Sequence, residues 1–160
     1  MIRIKLLLGK GGDVLKVTVK KHEEFEEDEV VIYCSVENGK IKKIKGFVEN
    51  MDSKLWVILN EENIMVDPDE VYYFESVDKR TFVYLKEMIL ECPLRLYEIE
   101  LKYKGFSFFR ATKSTIVNTK YIRKVVPMLN RNLMVTLKNK EKLIISRRNI
   151  KEFKALIGWE

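Results

Sequence analysis

From Leu55 onward the chain is cut into short apolar runs by closely spaced polar turns: LWVIL stands before NEEN, RTFVYL follows DK, and LMVTL lies between NRN and KNKEK. Runs of this length read as strands, and the turns between them are too brief to hold the crossover helices that a parallel sheet requires. The chain is therefore expected to be mostly β, built from antiparallel hairpins, which removes the parallel α/β nucleotide folds. Two stretches break the pattern. RLYEIELKYKG places Leu96, Ile99 and Tyr103 on one helical stripe, with Leu101 off it and Gly105 as the stop. NIKEFKALIG predicts a second short helix with Phe153, Leu156 and Ile157 inward and Gly158 as its stop.

Upstream of Leu55, VLKVTVKK alternates apolar and charged residues as a half-buried strand does, and VVIYCSV from Val30 reads as a more buried strand. The acidic EEFEEDE between them reads as a solvated loop. Ile41, Ile44, Phe47, Val48 and Met51 recur at helical spacing, which predicts an amphipathic helix over Gly39–Met51. The chain thus divides into a strand-strand-helix portion, residues 1–54, and a β-rich portion, residues 55–160. The first has too few strands to bury its own helix stripe, so that helix is expected to dock on the second portion or to form a dimer contact.

Charge is distributed unevenly. Residues 1–60 are nearly neutral and residues 61–103 are acidic, whereas residues 104–154 hold 14 Lys and Arg against only Glu141 and Glu152. Such a switch of sign marks a surface that faces a polyanion. About five or more phosphate neutralisations are expected from this segment.

Other function classes find little support. No apolar run approaches the roughly 20 residues that span a bilayer, and IRIKLLLG is too short for a secretory signal, so a cytoplasmic protein is expected. Cys34 and Cys92 sit singly inside strand-like runs and read as reduced core cysteines. His22 has no ligand-spaced Cys or carboxylate partner, and no metal is expected. GKGG near the N-terminus leads into a strand, unlike a phosphate loop. Ser146 lacks a G-x-S-x-G frame, and no second histidine could serve it. Glu75, Asp78 and Glu91 could be paired on paper, but Asp78-Lys79 is a natural hairpin tip. Neither an enzyme nor a cofactor is expected.

Three blocks carry a resemblance. YYFESVDKRTFVYL, FFRATKSTIVNTKYIRKV and LIISRRNIKEFKALI follow one another within roughly Trp56 to Ile157, and they resemble the signature blocks of the LytTR family of bacterial DNA-binding domains. The resemblance implies an elongated stack of small antiparallel sheets with short helices, which binds double-stranded DNA through loops entering successive major grooves. It also implies residue roles. Lys113, in the loop after FFRAT, Arg148 in SRRN, and Thr81 fall at base-contacting positions. Lysine can donate to guanine O6 or N7, and arginine can grip the same pair bidentately. Arg110, Thr112, Ser114, Lys138, Lys140, Arg147, Lys79 and Arg80 are expected at the DNA backbone. Asn118, after the apolar pair Ile116-Val117, is expected to shape its loop by side-chain to backbone hydrogen bonds.

Many family members are response regulators with a phosphoryl-accepting receiver domain. Met1 to Leu55 is too short for one and lacks the early acidic pair followed by a central Asp, so the chain resembles the small stand-alone members. Those are often encoded beside a small membrane protein that restrains them, and that partner is an implied one here. The expected function is a bacterial transcription regulator acting as a homodimer, or as two copies on repeated promoter sites. A basic interaction module for RNA or an acidic protein is the other reading. The ordered trio of blocks favours DNA, since a generic RNA binder would show an aromatic stacking platform on a sheet face.

Overall fold

The computed structural model describes residues 2–5, 16–19, 30–49 and 53–159. It divides into two compact units, Met1–Tyr33 and Cys34–Glu160. In the first, β1 (Ile2–Lys5) and β2 (Lys16–Val19) pair antiparallel, Ile2 opposite Val19. The GKGG turn, His22 and the acidic EEFEEDE segment lie outside the described residues.

The second unit opens with helix α1 (Gly39–Glu49), whose N-terminus is capped by Asn38: its Oδ1 accepts from the Lys40 and Ile41 amides. The predicted last residue, Met51, lies outside the described residues. Ile41 is buried, and Phe47 meets the Phe106 ring with centroids 5.9 Å apart. Gly46 is where α1 comes closest to its neighbour: a Cβ built there would stand 2.7 Å from the Lys104 carbonyl oxygen, a gap that only glycine leaves.

The strand runs then form hairpins where the polar turns predict them. A seven-stranded sheet has the order β4 (Glu62–Val66), β3 (Leu55–Leu59), β7 (Ile89–Cys92), β6 (Arg80–Tyr84), β5 (Tyr73–Val77), β9 (Thr115–Asn118), β8 (Phe108–Thr112). A three-stranded sheet follows in chain order: β10 (Ile122–Pro127), β11 (Leu133–Leu137) and β12 (Lys142–Ile145). Every ladder is antiparallel. The short helices α2 (Leu96–Lys102) and α3 (Ile150–Ile157) complete a mostly β architecture.

Side-chain alternation along the strands sorts the interior into two cores. On one face of the seven-stranded sheet, Leu55, Val57, Phe74, Val83 and Ile116 pack with Leu96, Ile99 and Tyr103 of the α2 stripe, while Leu101 is 73% exposed. On the other, Tyr73, Phe109, Ala111 and Val117 meet Leu133, Val135, Leu137, Ile145 and Phe153 from the three-stranded sheet and α3. Strand β9 is therefore buried on both sides, Ile116 in one core and Val117 in the other. A fully buried side chain of this size contributes about 1.5–3 kcal/mol, which makes β9 the rigid bar from which its flanking turns hang.

Two sequence readings are corrected. Val30, Val31, Tyr33 and Val36 are 52–94% exposed and form no strand, and Cys34 is exposed with them. An apolar run becomes a buried strand only where a ladder partner exists, and none pairs with it among the described residues. In α3 only Phe153 is buried, whereas Leu156 and Ile157 are each 38% exposed. They share Phe153's face but lie one turn further, about 5 Å along the axis. Gly158, at φ 67°, ends the helix in the left-handed conformation.

Candidate nucleic-acid interface

Strand β8 carries a bulge. Its register slips between Arg110 and Thr112, which leaves Ala111 outside the ladder. The freed Ala111 carbonyl accepts the Ser146 amide at 2.9 Å, and the Asn149 side-chain amide donates to the Arg110 carbonyl at 2.7 Å. These bonds dock the β12–α3 loop against β8. The result sets Arg147 and Arg148 beside the turn that carries Lys113.

That turn is braced from below. The Arg110 guanidinium donates from Nε to the Thr112 carbonyl at 2.7 Å, from Nη2 to the Lys113 carbonyl at 2.6 Å, and from Nη1 to the Glu100 carboxylate at 2.8 Å. Thr112 adds a local clasp: its hydroxyl accepts the Ser114 amide at 3.1 Å and donates to the Thr115 hydroxyl at 3.0 Å. At the other end of β9, Asn118 is 1% exposed, donates to the Val71 carbonyl at 2.8 Å and accepts the Lys120 amide at 3.1 Å. Its side chain thus caps the 3-10 turn Thr119–Tyr121 and ties it to the chain before β5.

The β10–β11 turn returns to the same end of the molecule. The Asn132 side-chain oxygen accepts the Arg147 amide at 3.0 Å, and the Asn130 side-chain oxygen accepts the Asn132 amide at 3.2 Å. Three segments of chain therefore surround one open cleft of about 470 Å³, lined by Thr112, Lys113, Asn130, Asn132, Ser146, Arg147 and Arg148. No carboxylate lines it among the described residues. Lys113, Arg147 and Arg148 are exposed, and none forms an ion pair among the described residues. The Ser76 amide donates to the Ser114 carbonyl at 2.8 Å, so the Asp78-Lys79 turn of the β5–β6 hairpin also stands at this end.

The structure separates other residues of the expected set. Lys138 and Lys140 occupy the β11–β12 turn, at the far end of a five-residue strand and so about 13 Å or more from the cleft. There the Lys138 ammonium lies 5.5 Å from the centre of the Tyr121 ring. Arg80 is held bidentately by Glu91 and stacks over Phe82. That pairing also lowers the pKa of the Glu91 carboxyl. Thr81 is a correction: it is 2% exposed and faces inward with Val83, so its hydroxyl cannot meet a base edge while the sheet is intact. Arg110 has a structural task as well: each of its three nitrogens donates to the turn or to Glu100, which makes it a brace. Asn130 and Asn132 were not singled out by sequence, where NRN reads only as a hairpin tip. The signal available was the likeness of NRN to the other basic, acid-free tips.

The LytTr DNA-binding domain model matches residues 61–158, which contain every segment of this cleft. The chain belongs to the LytTR family. A solved LytTr DNA-binding domain from Bacillus cereus is 27% identical, with a TM-score of 0.63 covering 67% of this chain and 98% of that one. The transcriptional regulatory protein YpdB of Escherichia coli is 32% identical over 102 residues, 62% of this chain and 42% of YpdB, so this chain spans less than half of that relative. An uncharacterised HTH-type transcriptional regulator of Staphylococcus aureus is 27% identical over 143 residues, 88% of this chain and 97% of its own length. Among the described residues here, no two helices are consecutive elements: strands separate α1 from α2 and α2 from α3. The cleft itself is built from turns and a loop between these elements.

Proposed function

We propose that this protein is a sequence-specific double-stranded DNA-binding transcription regulator, and that the cleft between the β8–β9, β10–β11 and β12–α3 segments is its reading surface. The observation that carries this is the convergence of Lys113, Arg147 and Arg148 on one acid-free cleft, unpaired and presented by braced turns. Arg148 and Lys113 enter the major groove and donate to guanine O6 and N7. Arg147, Thr112, Ser114 and Lys79 hold the flanking phosphates and set the register. Arg110 and Asn118 act through the backbone of the turns. The relatives' names as transcriptional regulators support regulatory DNA as the target. Two copies on repeated promoter sites are proposed as the reading unit.

Selection of duplexes from a randomised library by the full chain tests this. Enrichment of a defined sequence is expected, with affinity for it falling with salt. At about 0.9 per neutralised phosphate on a log-log plot, the two cations assigned to phosphates, Arg147 and Lys79, give a slope of about −1.8 or steeper. No enrichment, or a slope near zero on duplex DNA, contradicts the reading.

A further inference from the structure

The β10–β11 turn presents a side chain that charge-based reading overlooks. Leu129, at its tip, is fully exposed, at 107% of the reference value, whereas most leucines among the described residues are buried or half-buried. The tip is also rigidly built. The Met128 amide donates to the Asn132 carbonyl at 2.9 Å, the Arg131 amide donates to the Met128 carbonyl at 3.1 Å, and Arg131 adopts a left-handed φ of 62° to close the turn. Asn130, the next residue, lines the cleft together with Lys113 and Arg148. An apolar group held out in water at the rim of a cationic cleft gains nothing from folding. It gains on binding if a nonpolar surface meets it there.

The major groove offers one strongly apolar feature at each A·T pair, the thymine C5-methyl group. We infer that Leu129 is a third reading element, packing on a thymine methyl beside the base pairs contacted from the cleft and so setting a preference for thymine at one position. This rests on the DNA reading above. Burial of about one methyl group against the leucine corresponds to roughly a fourfold preference for thymine over deoxyuridine.

The test uses the full chain and the duplex it selects, with each thymine replaced in turn by deoxyuridine, which keeps every hydrogen bond and removes only the methyl. The wild type is expected to lose about fourfold at one position, or two adjacent ones. Leu129→Ala is expected to bind the thymine duplex about as weakly as the wild type binds the deoxyuridine one, and to distinguish the two no longer. Leu129 is fully exposed, so the variant keeps its fold, which circular dichroism checks. Three results overturn the inference alone: no sensitive thymine, undiminished discrimination by Leu129→Ala, or an equal loss by Leu129→Ala on every duplex. A chain that enriches no sequence at all overturns the DNA reading, and this inference falls with it.

Discussion

The two ends of the three-stranded sheet carry cations in similar numbers and use them differently. At the end built by the β11–β12 turn and the Thr119–Tyr121 turn, Lys120 and Lys138 have partners, whereas Lys140 forms no ion pair among the described residues. Lys120 pairs with Asp69 at 2.6 Å, Lys138 lies over Tyr121, and the Tyr121 hydroxyl donates to the Asp69 carbonyl. Burial, with the nearby Glu141 carboxylate, raises the pKa of the Tyr73 phenol in the same region. At the end built by the β8–β9 turn, the tip around Leu129 and the β12–α3 loop, Lys113, Arg147 and Arg148 have no acidic neighbour in their cleft. One end ties part of its charge into the fold. The other leaves these three cations unpaired among the described residues, while the Arg110 guanidinium beside them fixes the turn.

This contrast can be broken by substitution. Arg148→Ala should have the largest effect on recognition: about 1–3 kcal/mol lost on the selected duplex and much less on random DNA, read by competition binding. Equal losses on both would remove Arg148 from base reading. Asn118→Ala should separate stability from specificity, since it leaves the buried Val71 carbonyl and the part-buried Lys120 amide without their partner. Unfolding by urea should show a loss of about 1–3 kcal/mol, with the preference for the selected duplex retained at temperatures where the protein is folded. Lys113→Ala should cost about 1 kcal/mol on the selected duplex, below Arg148→Ala because an ammonium lacks the planar fork. Lys138→Ala should do least. Its charge sits at the partnered end, so less than about 0.5 kcal/mol is expected on either duplex, with a salt slope unchanged within about half a unit.

Much of this arrangement was legible in the sequence, because periodicity and turn chemistry are local. Leu96, Ile99, Tyr103 and the outlying Leu101 fall where the helical stripe puts them. Asn118 shows the reach of that approach: an asparagine closing a buried apolar pair is read as a backbone clasp, although its partner, Val71, is 47 residues away. Pairing across the fold is what sequence does not display. Arg110 and Arg148 are alike as letters, yet Glu100 and two carbonyls occupy the first. Lys138 reads as one more basic tip until strand direction assigns it to the far end. Thr81 was within reach, since strand parity sets it two residues before Val83 on the inward face. The Val30–Val36 run misleads for the opposite reason: apolar composition predicts burial only when a partner strand is present.

The proposed reading surface requires DNA to meet the cleft end of the domain and to leave the Tyr121 end uncovered. Photo-crosslinking tests it most directly. Cys34 is exposed and Cys92 is buried with its thiol pushed up to about 11, so a Cys34→Ser background leaves no accessible thiol among the described residues. A crosslinker is then attached at Leu129→Cys or at Lys138→Cys and irradiated with the selected duplex. Efficient crosslinking from position 129 and little from position 138 is expected. Comparable crosslinking from both, or crosslinking from position 138 alone, would contradict it.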